Sequence, residues 1–332
     1  MARQTGSQSR AVRVAMIGAG PSALRFHYPS LAEMPDVEIA AVCDLDPQRR
    51  ESAAADFDIP QQYEAYRQML DREAPDAVYI VVFPEFLDPL VTDCLERGFH
   101  TFVEKPPGIT SDQTKHWADL AADKSLLTMA AFNRRFDPVT VEVRKRVEAR
   151  KPIRSFLIEL YKFYSPQASN ELHARNGFLP QGSHHVDLLR WLGGEPVEIS
   201  SFPDRHYATW MNSVTAIVRF DSGATGTLIF QRGSGFSRRE RIVLHADQIT
   251  GVAEIAGARE GAGAHGVISD NQSVEELQLT DVVSNGKHHH EYGYFQENRH
   301  FIDCLKSGRQ PETNFADGVK TMELIEALAR PR

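Results

Sequence analysis

Lysine and histidine side chains at two places in this sequence could move a proton to or from a hydroxyl group. Lys105 ends a short apolar run, and the two prolines after it prevent the backbone from continuing as a helix. His184 and His185 stand in the first turn of a predicted helix over residues 183–192. The positive end of a helix dipole disfavours imidazolium, so we expect a neutral histidine there that can accept a proton near pH 7. The alternatives are a surface lysine paired with Glu104 and a structural histidine.

A glycine-rich turn follows the first apolar run. It has the pattern G-x-G-x-x-A, in which glycines allow a tight turn and let backbone N–H groups approach a pyrophosphate. The next apolar run ends at Asp44, where a carboxylate can accept hydrogen bonds from an adenosine ribose. Asp44 could instead cap the next helix, but Asp46 is better placed for that role. The two features together predict a dinucleotide site, whose turn consists of Gly18, Ala19, Gly20, Pro21 and Ser22.

Asp44 also bears on which dinucleotide is bound. A carboxylate repels a 2′-phosphate, and the neighbouring Leu45 supplies no cation to replace it. The sequence therefore favours NAD over NADP. Arg49 and Arg50 leave NADP open, because a helical arginine one turn away could reach the adenine side.

Short apolar runs that alternate with amphipathic stretches would position these residues. Each run is too short for a helix and is bounded by polar or turn residues, which is typical of buried strands in a parallel sheet. The predicted strands cover residues 12–18, 37–43, 77–83, 100–104 and 126–132. The predicted helices cover residues 22–32, 47–57, 65–71, 89–97 and 111–124. This order predicts a doubly wound Rossmann domain over residues 12–137, with Lys105 at the carboxyl end of a strand, where ligands bind.

Strand-like segments dominate after residue 137, following one helical stretch over 139–150. Long strands without intervening helices predict an α+β domain over residues 138–332 with an open, mostly antiparallel sheet. Its predicted strands cover residues 153–164, 197–202, 213–220, 224–231, 238–245 and 273–279, with a hairpin turn at 221–223. Two helices are predicted at 294–307 and 316–329, and a mobile loop at 257–266.

The composition is that of an ordinary folded protein. Of 332 residues, 42% are hydrophobic and 25% charged, and the net charge of −8 has the wrong sign for binding nucleic acid through bulk electrostatics. No apolar window is long enough to predict a membrane span, and residues 1–11 predict a disordered tail rather than a secretory signal. The three cysteines lie far apart without metal-ligand spacing, which fits a reducing cytoplasmic setting.

Several motifs in a fixed order resemble those of the glucose-fructose oxidoreductase and inositol dehydrogenase family (Gfo/Idh/MocA). They are the G-x-G-x-x-A turn, the strand-ending Asp44, E-K-P at 104–106, N-R-R-F-x-P at 133–138, G-x-H-x-x-D at 182–187, and Glu297-x-x-x-Phe301 followed by Gly308. The resemblance implies a Rossmann domain joined to an open-sheet domain. It also implies NAD(P)-dependent oxidation of a sugar or cyclitol hydroxyl, or the reverse reduction, and a homo-oligomer, dimer or tetramer, assembled through the open sheet.

The same resemblance implies roles for single residues. Lys105 matches the lysine that touches substrate and nicotinamide, and His184 matches the histidine that exchanges the proton. The implied cofactor site consists of Gly18, Gly20, Pro21, Ser22, Asp44, Pro84, Glu104 and Lys105. The implied substrate pocket consists of Asn133, Arg134, His185, Asp187 and Tyr294.

The sequence departs from the family pattern at two positions. Pro180 stands where many members have an aspartate four residues before the histidine, and Pro84 is followed by Asp88 rather than by histidine. A histidine without its carboxylate loses one source of tautomer control, although a neighbour could compensate. The candidates for that role are Gln181, His185 and Asp187.

Two further functions therefore stay open beside the dehydrogenase. One is a dinucleotide-binding sensor or subunit with little net redox activity, which the missing aspartate favours. The other is a lyase or hydrolase that oxidises its substrate transiently. No metal is predicted at the three consecutive histidines 288–290, because adjacent histidines cannot all face one ion and only Glu291 stands nearby.

Overall fold

Two β-sheets organise the chain. A computed structural model describes residues 10–163, 178–206, 208–255 and 264–330. Within these ranges the backbone forms a six-stranded sheet and an eight-stranded sheet. The predicted tail lies outside the described residues except for Arg10 and Ala11. The predicted loop at 257–266 lies outside them up to residue 263.

The first sheet is parallel throughout, as predicted. Its strands β1 to β6 are Val12–Ile17, Val37–Cys43, Gln61–Tyr63, Ala77–Ile80, His100–Glu104 and Thr128–Ala131. They lie in the order β3-β2-β1-β4-β5-β6, so the order reverses between β1 and β4, beside the glycine-rich turn. The sequence prediction missed β3, because its three residues include two glutamines and carry no apolar run.

Helices connect the strands of this sheet close to the predicted positions. The helices α1 to α5 are Tyr28–Ala32, Pro47–Asp56, Tyr66–Glu73, Leu87–Glu96 and Ser111–Asp123. The residues before α1, Ala23–His27, have π-helical geometry. The Asp46 carboxylate accepts hydrogen bonds from the N–H groups of Gln48 and Arg49, and Pro47 follows it as the first helical residue. Asp46 is therefore the cap of α2, which leaves Asp44 available for another role.

The second sheet is open and mostly antiparallel, as predicted. Its strands β7 to β14 are Ser155–Lys162, Pro196–Asp204, Ser213–Phe220, Thr225–Arg232, Arg238–Ala246, Ile249–Glu254, His265–Asp270 and Val274–Gln278. Their order is β14-β13-β12-β11-β7-β10-β9-β8, and β7 pairs with β10 in parallel. Gly223 has a φ of +80° in the predicted hairpin turn between β9 and β10.

The prediction missed β12 and β13, and its loop overlaps the start of β13. Both strands contain a glycine, Gly251 or Gly266, which weakens a strand pattern. A Cβ at either position would lie 2.6 or 2.7 Å from a methyl carbon of Val143 on the helix that crosses these strands. The two glycines therefore allow close packing of helix on sheet.

The remaining helices cover one face of the second sheet and return to the first. They are α6 Pro138–Glu148, α7 Phe178–Gly193, α8 Leu279–Val282, α9 His288–Glu291, α10 Tyr294–Ser307 and α11 Phe315–Ala329. Apolar residues of α6, α7 and α11 share one buried core with the second sheet. Phe301 and Ile302 of α10 belong instead to the core of the first sheet. The C-terminal segment therefore packs on both sides of the predicted boundary at residue 137.

Candidate active site

The predicted cofactor residues lie together at the carboxyl edge of the first sheet. Gly18 follows β1 with a φ of +104°, and a Cβ there would collide with the carbonyl oxygen of Val81 after β4. A Cβ at Gly20 would meet no atom within 4 Å, so open space lies in front of the turn. Pro84 begins a short 3₁₀ turn at the same edge. Pro21 and Ser22 open the helical segment that continues into α1.

Asp44 connects the glycine-rich turn to the loop after β2. Its carboxylate accepts hydrogen bonds from the N–H groups of Ala19 at 2.7 Å and Asp46 at 2.9 Å. Each oxygen retains a free lone pair, and the side chain is half-buried beside the exposed Leu45. Arg50 donates to the backbone carbonyl of Asp44, so its guanidinium is directed at this loop. These residues fit an adenosine ribose, and the open space at Gly20 fits a pyrophosphate.

Glu104 and Lys105 follow β5 at the same edge. One Glu104 carboxylate oxygen lies 3.1 Å from Nε2 of the buried His27, and the other accepts the N–H of Lys105 at 3.0 Å. Burial raises the pKa of Glu104, but His27 and the charge of Lys105 outweigh it and lower the pKa. The Lys105 ammonium donates to the carbonyl oxygen of Pro180 at 3.4 Å. Lys105 thereby joins the first sheet to α7, the helix that carries His184.

His184 is 9% exposed, and its ring packs edge-on against Phe132 at a centroid distance of 6.3 Å. The prediction that it stands in the first turn of a helix is wrong, because α7 begins at Phe178. A proline is compatible with the first turn, where its missing N–H needs no partner, and Pro180 occupies that turn. Burial, followed by the charges of Lys105 and Arg134, lowers the pKa of His184 well below its usual range. The ring is therefore neutral at pH 7 because of burial and neighbouring cations, and not because of the helix dipole.

The three residues considered as replacements for the missing aspartate are engaged elsewhere. Gln181 accepts a hydrogen bond from Lys162 at 3.0 Å. His185 Nε2 lies 3.4 Å from the carboxylate of Glu240. Asp187 is fully buried, and its two oxygens accept both arms of the Arg135 guanidinium at 2.6 and 2.7 Å. Among the described residues, Nδ1 of His184 has no hydrogen-bond partner.

The other predicted pocket residues surround this helix. Arg134 binds the buried Glu240 carboxylate through two hydrogen bonds of 2.9 and 3.3 Å. Asn133 donates to the carbonyl oxygen of Tyr292 at 2.8 Å, and its own side-chain oxygen is buried without a partner in the described part of the chain. The Tyr294 ring stacks on Phe26 at 4.2 Å. The fold brings these residues to one region, and their roles in binding or catalysis stay predictions.

Two charged residues of this region were not predicted. Lys162 ends β7 and Glu240 lies on β11, and both strands point these side chains toward α7. The sequence offers one local sign that Lys162 faces the interior. Residues 156, 158 and 160 are apolar and buried, and Lys162 is the next residue in this alternation but carries a charge. Glu240 lies far along the chain from its partner Arg134 and belongs to none of the motifs.

A second cluster of ligand-type side chains lies at the junction of α1 and α9. The Glu33 carboxylate lies 2.8 Å from Nε2 of His289 and 2.8 Å from Nε2 of His290. These three donors lie within 4.8 Å of one another, so two of the three consecutive histidines do converge. The Lys287 ammonium donates to the same carboxylate at 2.7 Å. Ion pairs thus hold this cluster together, and the Lys287 ammonium already supplies a positive charge to the Glu33 carboxylate.

No helix among the described residues is both long and apolar enough to cross a membrane.

Comparisons with known proteins relate both halves of the chain to one family of oxidoreductases. Residues 12–132 match the model of an oxidoreductase family with an NAD-binding Rossmann fold, and residues 153–250 match the model of a GFO/IDH/MocA C-terminal domain. The chain is 24% identical to scyllo-inositol 2-dehydrogenase (NAD(+)) of Bacillus subtilis (strain 168), over 94% of this chain and 92% of that protein. It is 25% identical to D-xylose 1-dehydrogenase (NADP(+)) 2 of Haloferax volcanii, over 88% of each chain.

A solved structure shows the same fold. The crystal structure of a dehydrogenase (MviM) from Clostridium difficile superposes with a TM-score of 0.82 at 20% sequence identity. The match covers 96% of this chain and 98% of that one, so both sheets and their connecting helices share one arrangement in the two proteins.

Proposed function

Since the chain belongs to the Gfo/Idh/MocA family of NAD-binding oxidoreductases, we propose that Lys105 and His184 are the groups that handle the proton while it oxidises a sugar or cyclitol. The family and fold predicted from the motifs are confirmed. The relatives named above act on inositol and xylose, which supports a polyhydroxylated substrate with a secondary alcohol or its ketone. The hydrogen bond from Lys105 to the carbonyl oxygen of Pro180, four residues before His184 on α7, is the observation that supports the proposal.

The chain's own residues would hold the substrate oxygen and its proton. NAD, when bound, accepts or supplies the hydride. The Lys105 ammonium lowers the pKa of an alcohol or polarises a carbonyl. The neutral His184 ring accepts the proton at Nε2, since its Nδ1 lies buried. Asp187 positions α7 through Arg135 rather than touching substrate, because the ion pair occupies its carboxylate.

A substrate panel with one variant tests the proposal. Sugars, cyclitols and sugar acids are incubated with NAD, and NADH formation is followed by absorbance. Lys105→Ala should lower kcat on the best substrate by about 10² to 10⁴, while the Kd for NADH stays within about threefold. The exposed Lys115 on α5 provides a control, and Lys115→Ala should leave kcat unchanged. Tight NADH binding without turnover of any compound would favour a sensor or binding subunit instead.

We also propose a homo-oligomer that forms through the uncovered face of the second sheet, in a reducing compartment such as the cytoplasm. That face carries Ile217, which is 49% exposed, and the half-buried Ile229, which lies two residues along β10 from Thr227, the register partner of Ile217. Exposed apolar side chains on a sheet face favour burial against a second copy. All three cysteines are buried and unpaired, which supports the compartment.

A further inference from the structure

A row of three cations crosses adjacent strands of the second sheet. Lys162 at the end of β7 pairs in register with Arg232 on β10 and with Arg238 on β11. In each strand the cation lies an even number of residues from buried apolar side chains that face the helices. Residues at this spacing share one face of a strand. The three cations therefore point to the helix-covered side of the sheet, toward α7.

Lys162 belongs to the same electrostatic environment as the proposed catalytic pair. Its ammonium donates to Gln181, which precedes His184 by less than one turn of α7. Burial lowers the pKa of Lys162, and the charges of Arg232, Lys105 and Arg134 lower it further. The Gln181 side chain and the Pro180 carbonyl, which accept hydrogen bonds from Lys162 and Lys105, belong to adjacent residues of α7, so both ammonium groups approach the same turn of that helix.

Among the described residues, the Lys162 ammonium donates to the Gln181 side chain and to no carboxylate. Glu240 accepts hydrogen bonds from both Arg134 and Arg238, so two cations already share this one anion. Glu104 is held by His27 on the cofactor side. Burial raises the pKa of Glu297 well above its usual range, which disfavours the anionic form of this carboxyl. Glu240 and Glu104, among the described carboxylates, are therefore held by other groups and supply no anion to Lys162.

We propose that the substrate carries an anionic group, a carboxylate or a phosphate, that binds to Lys162. This inference rests on the proposed function, because it places the anion on the molecule that Lys105 and His184 act upon. A partly buried ammonium pays a desolvation cost that an anionic ligand offsets through a charge-assisted hydrogen bond. Sugar acids and sugar phosphates both supply such a group beside secondary hydroxyls.

Matched substrate pairs test the charge directly. D-Glucuronate is compared with its neutral amide D-glucuronamide, D-galacturonate with D-galacturonamide, and D-glucose 6-phosphate with D-glucose, each with NAD. We expect kcat/KM to be at least tenfold higher for the anion of at least one pair. The carboxylate and phosphate pairs distinguish the two sources of the anion.

Variants of Lys162 assign the effect to this residue. Lys162→Gln should lower kcat/KM for the anion by about 10-fold to 100-fold, the size of one charge-assisted hydrogen bond. It should change kcat/KM for the neutral partner by less than threefold. Lys162→Arg, which keeps the charge, should recover part of the loss. The exposed Lys145 on α6 is the control, and Lys145→Gln should leave both values unchanged.

Three results separate the possible failures. Equal kcat/KM for the anion and its neutral partner in all three pairs, with the wild-type protein, overturns the inference and leaves the dehydrogenase intact. An equal loss on both substrates in Lys162→Gln, with no recovery in Lys162→Arg, overturns the role of Lys162. No NADH from any compound, charged or neutral, contradicts the proposed function itself.

Discussion

Among the residues that the structure describes, His184 has no carboxylate partner that would fix its tautomer. The backbone carbonyl of Pro180 faces Lys105 instead, and Nδ1 of His184 meets no acceptor among the described residues. An imidazolium formed during the reaction would carry an unbonded N–H at Nδ1, which costs free energy in a buried site. His184 should therefore contribute at the lower end of what general bases supply.

The pH dependence of a His184→Ala variant tests this account. We expect kcat/KM to fall by about 10², less than for Lys105→Ala. Because the pKa of His184 is lowered, the ring stays neutral as the pH falls through 6.5, so the ratio of wild type to variant should be constant between pH 8 and 6.5. A decline of that ratio by about twofold across this interval would show an ordinary histidine pKa near 6.5.

Asp44 binds the backbone of the glycine-rich turn, and we predict that it also determines the choice of cofactor. Asp44→Ser should weaken NAD binding while NADP binding changes less, since the repulsion of the 2′-phosphate is removed. The preference for NAD should narrow by about tenfold, as measured by fluorescence titration of NADH and NADPH. Asp46→Ser is the control, because serine also caps α2. An unchanged ratio in Asp44→Ser would place Asp44 outside the ribose site.

Residues inside local motifs could be predicted from the sequence, whereas Lys162 and Glu240 could not. Gly18, Asp44 and Lys105 each follow a recognisable strand, so position along the chain predicts position at the sheet edge. Lys162 and Glu240 enter the pocket because β7 and β11 are neighbours in the second sheet. That pairing depends on tertiary contacts between segments about 80 residues apart, for which no local signal exists.

At the scale of elements, the Glu33 cluster connects α1 to α9. Burial raises the pKa of Glu33, but hydrogen bonds from Lys287, His290 and His289 outweigh it and lower the pKa to about 2. A carboxyl group whose pKa is lowered on folding stabilises the protein above its unfolded pKa of about 4.3, and that contribution is lost as the pH falls toward 2. The contact therefore stabilises the junction at neutral pH.

Glu33→Gln should lower the free energy of unfolding by about 1 to 1.5 kcal/mol at pH 7, as measured by urea denaturation, because solvent screens this exposed carboxylate and its several partners only in part. The difference from wild type should shrink between pH 4.5 and pH 2. Glu38→Gln provides a control at an exposed ion pair and should cost less than about 1 kcal/mol. A Glu33→Gln effect that persists at pH 2 would mean that packing, rather than charge, holds the junction.

Helices and strands whose apolar residues recur at a clear period were predicted closely, and those without such a period were not. β9 has the predicted bounds, because its side chains alternate between buried and exposed along eight residues. α7 begins five residues before its predicted start, since Pro180 and Gly182 suggest a loop when read locally. The ring of Phe178 packs against Gly182 and fills the place of a side chain, which explains how the helix tolerates this glycine.

At the scale of the molecule, the uncovered sheet face predicts self-association. Ile217→Glu should shift the mass measured by light scattering toward that of one chain, because a buried charge without a partner destabilises an interface. Val141 on α6 is 40% exposed on the helix-covered side, so Val141→Glu should leave the mass unchanged. A monomeric wild-type protein, or equal masses for wild type and Ile217→Glu, would contradict assembly through this face.

The return of α10 to the first sheet has a mechanical consequence. The backbone passes from the first sheet to the second after β6, and α10 then packs Phe301 and Ile302 into the first core. The two halves are thus joined by the covalent connection and, separately, by the packing of α10. A single cut in the connection between α6 and β7 would leave both fragments attached through α10. The spacing between Lys105 and His184 is accordingly protected against rotation of one half about the other.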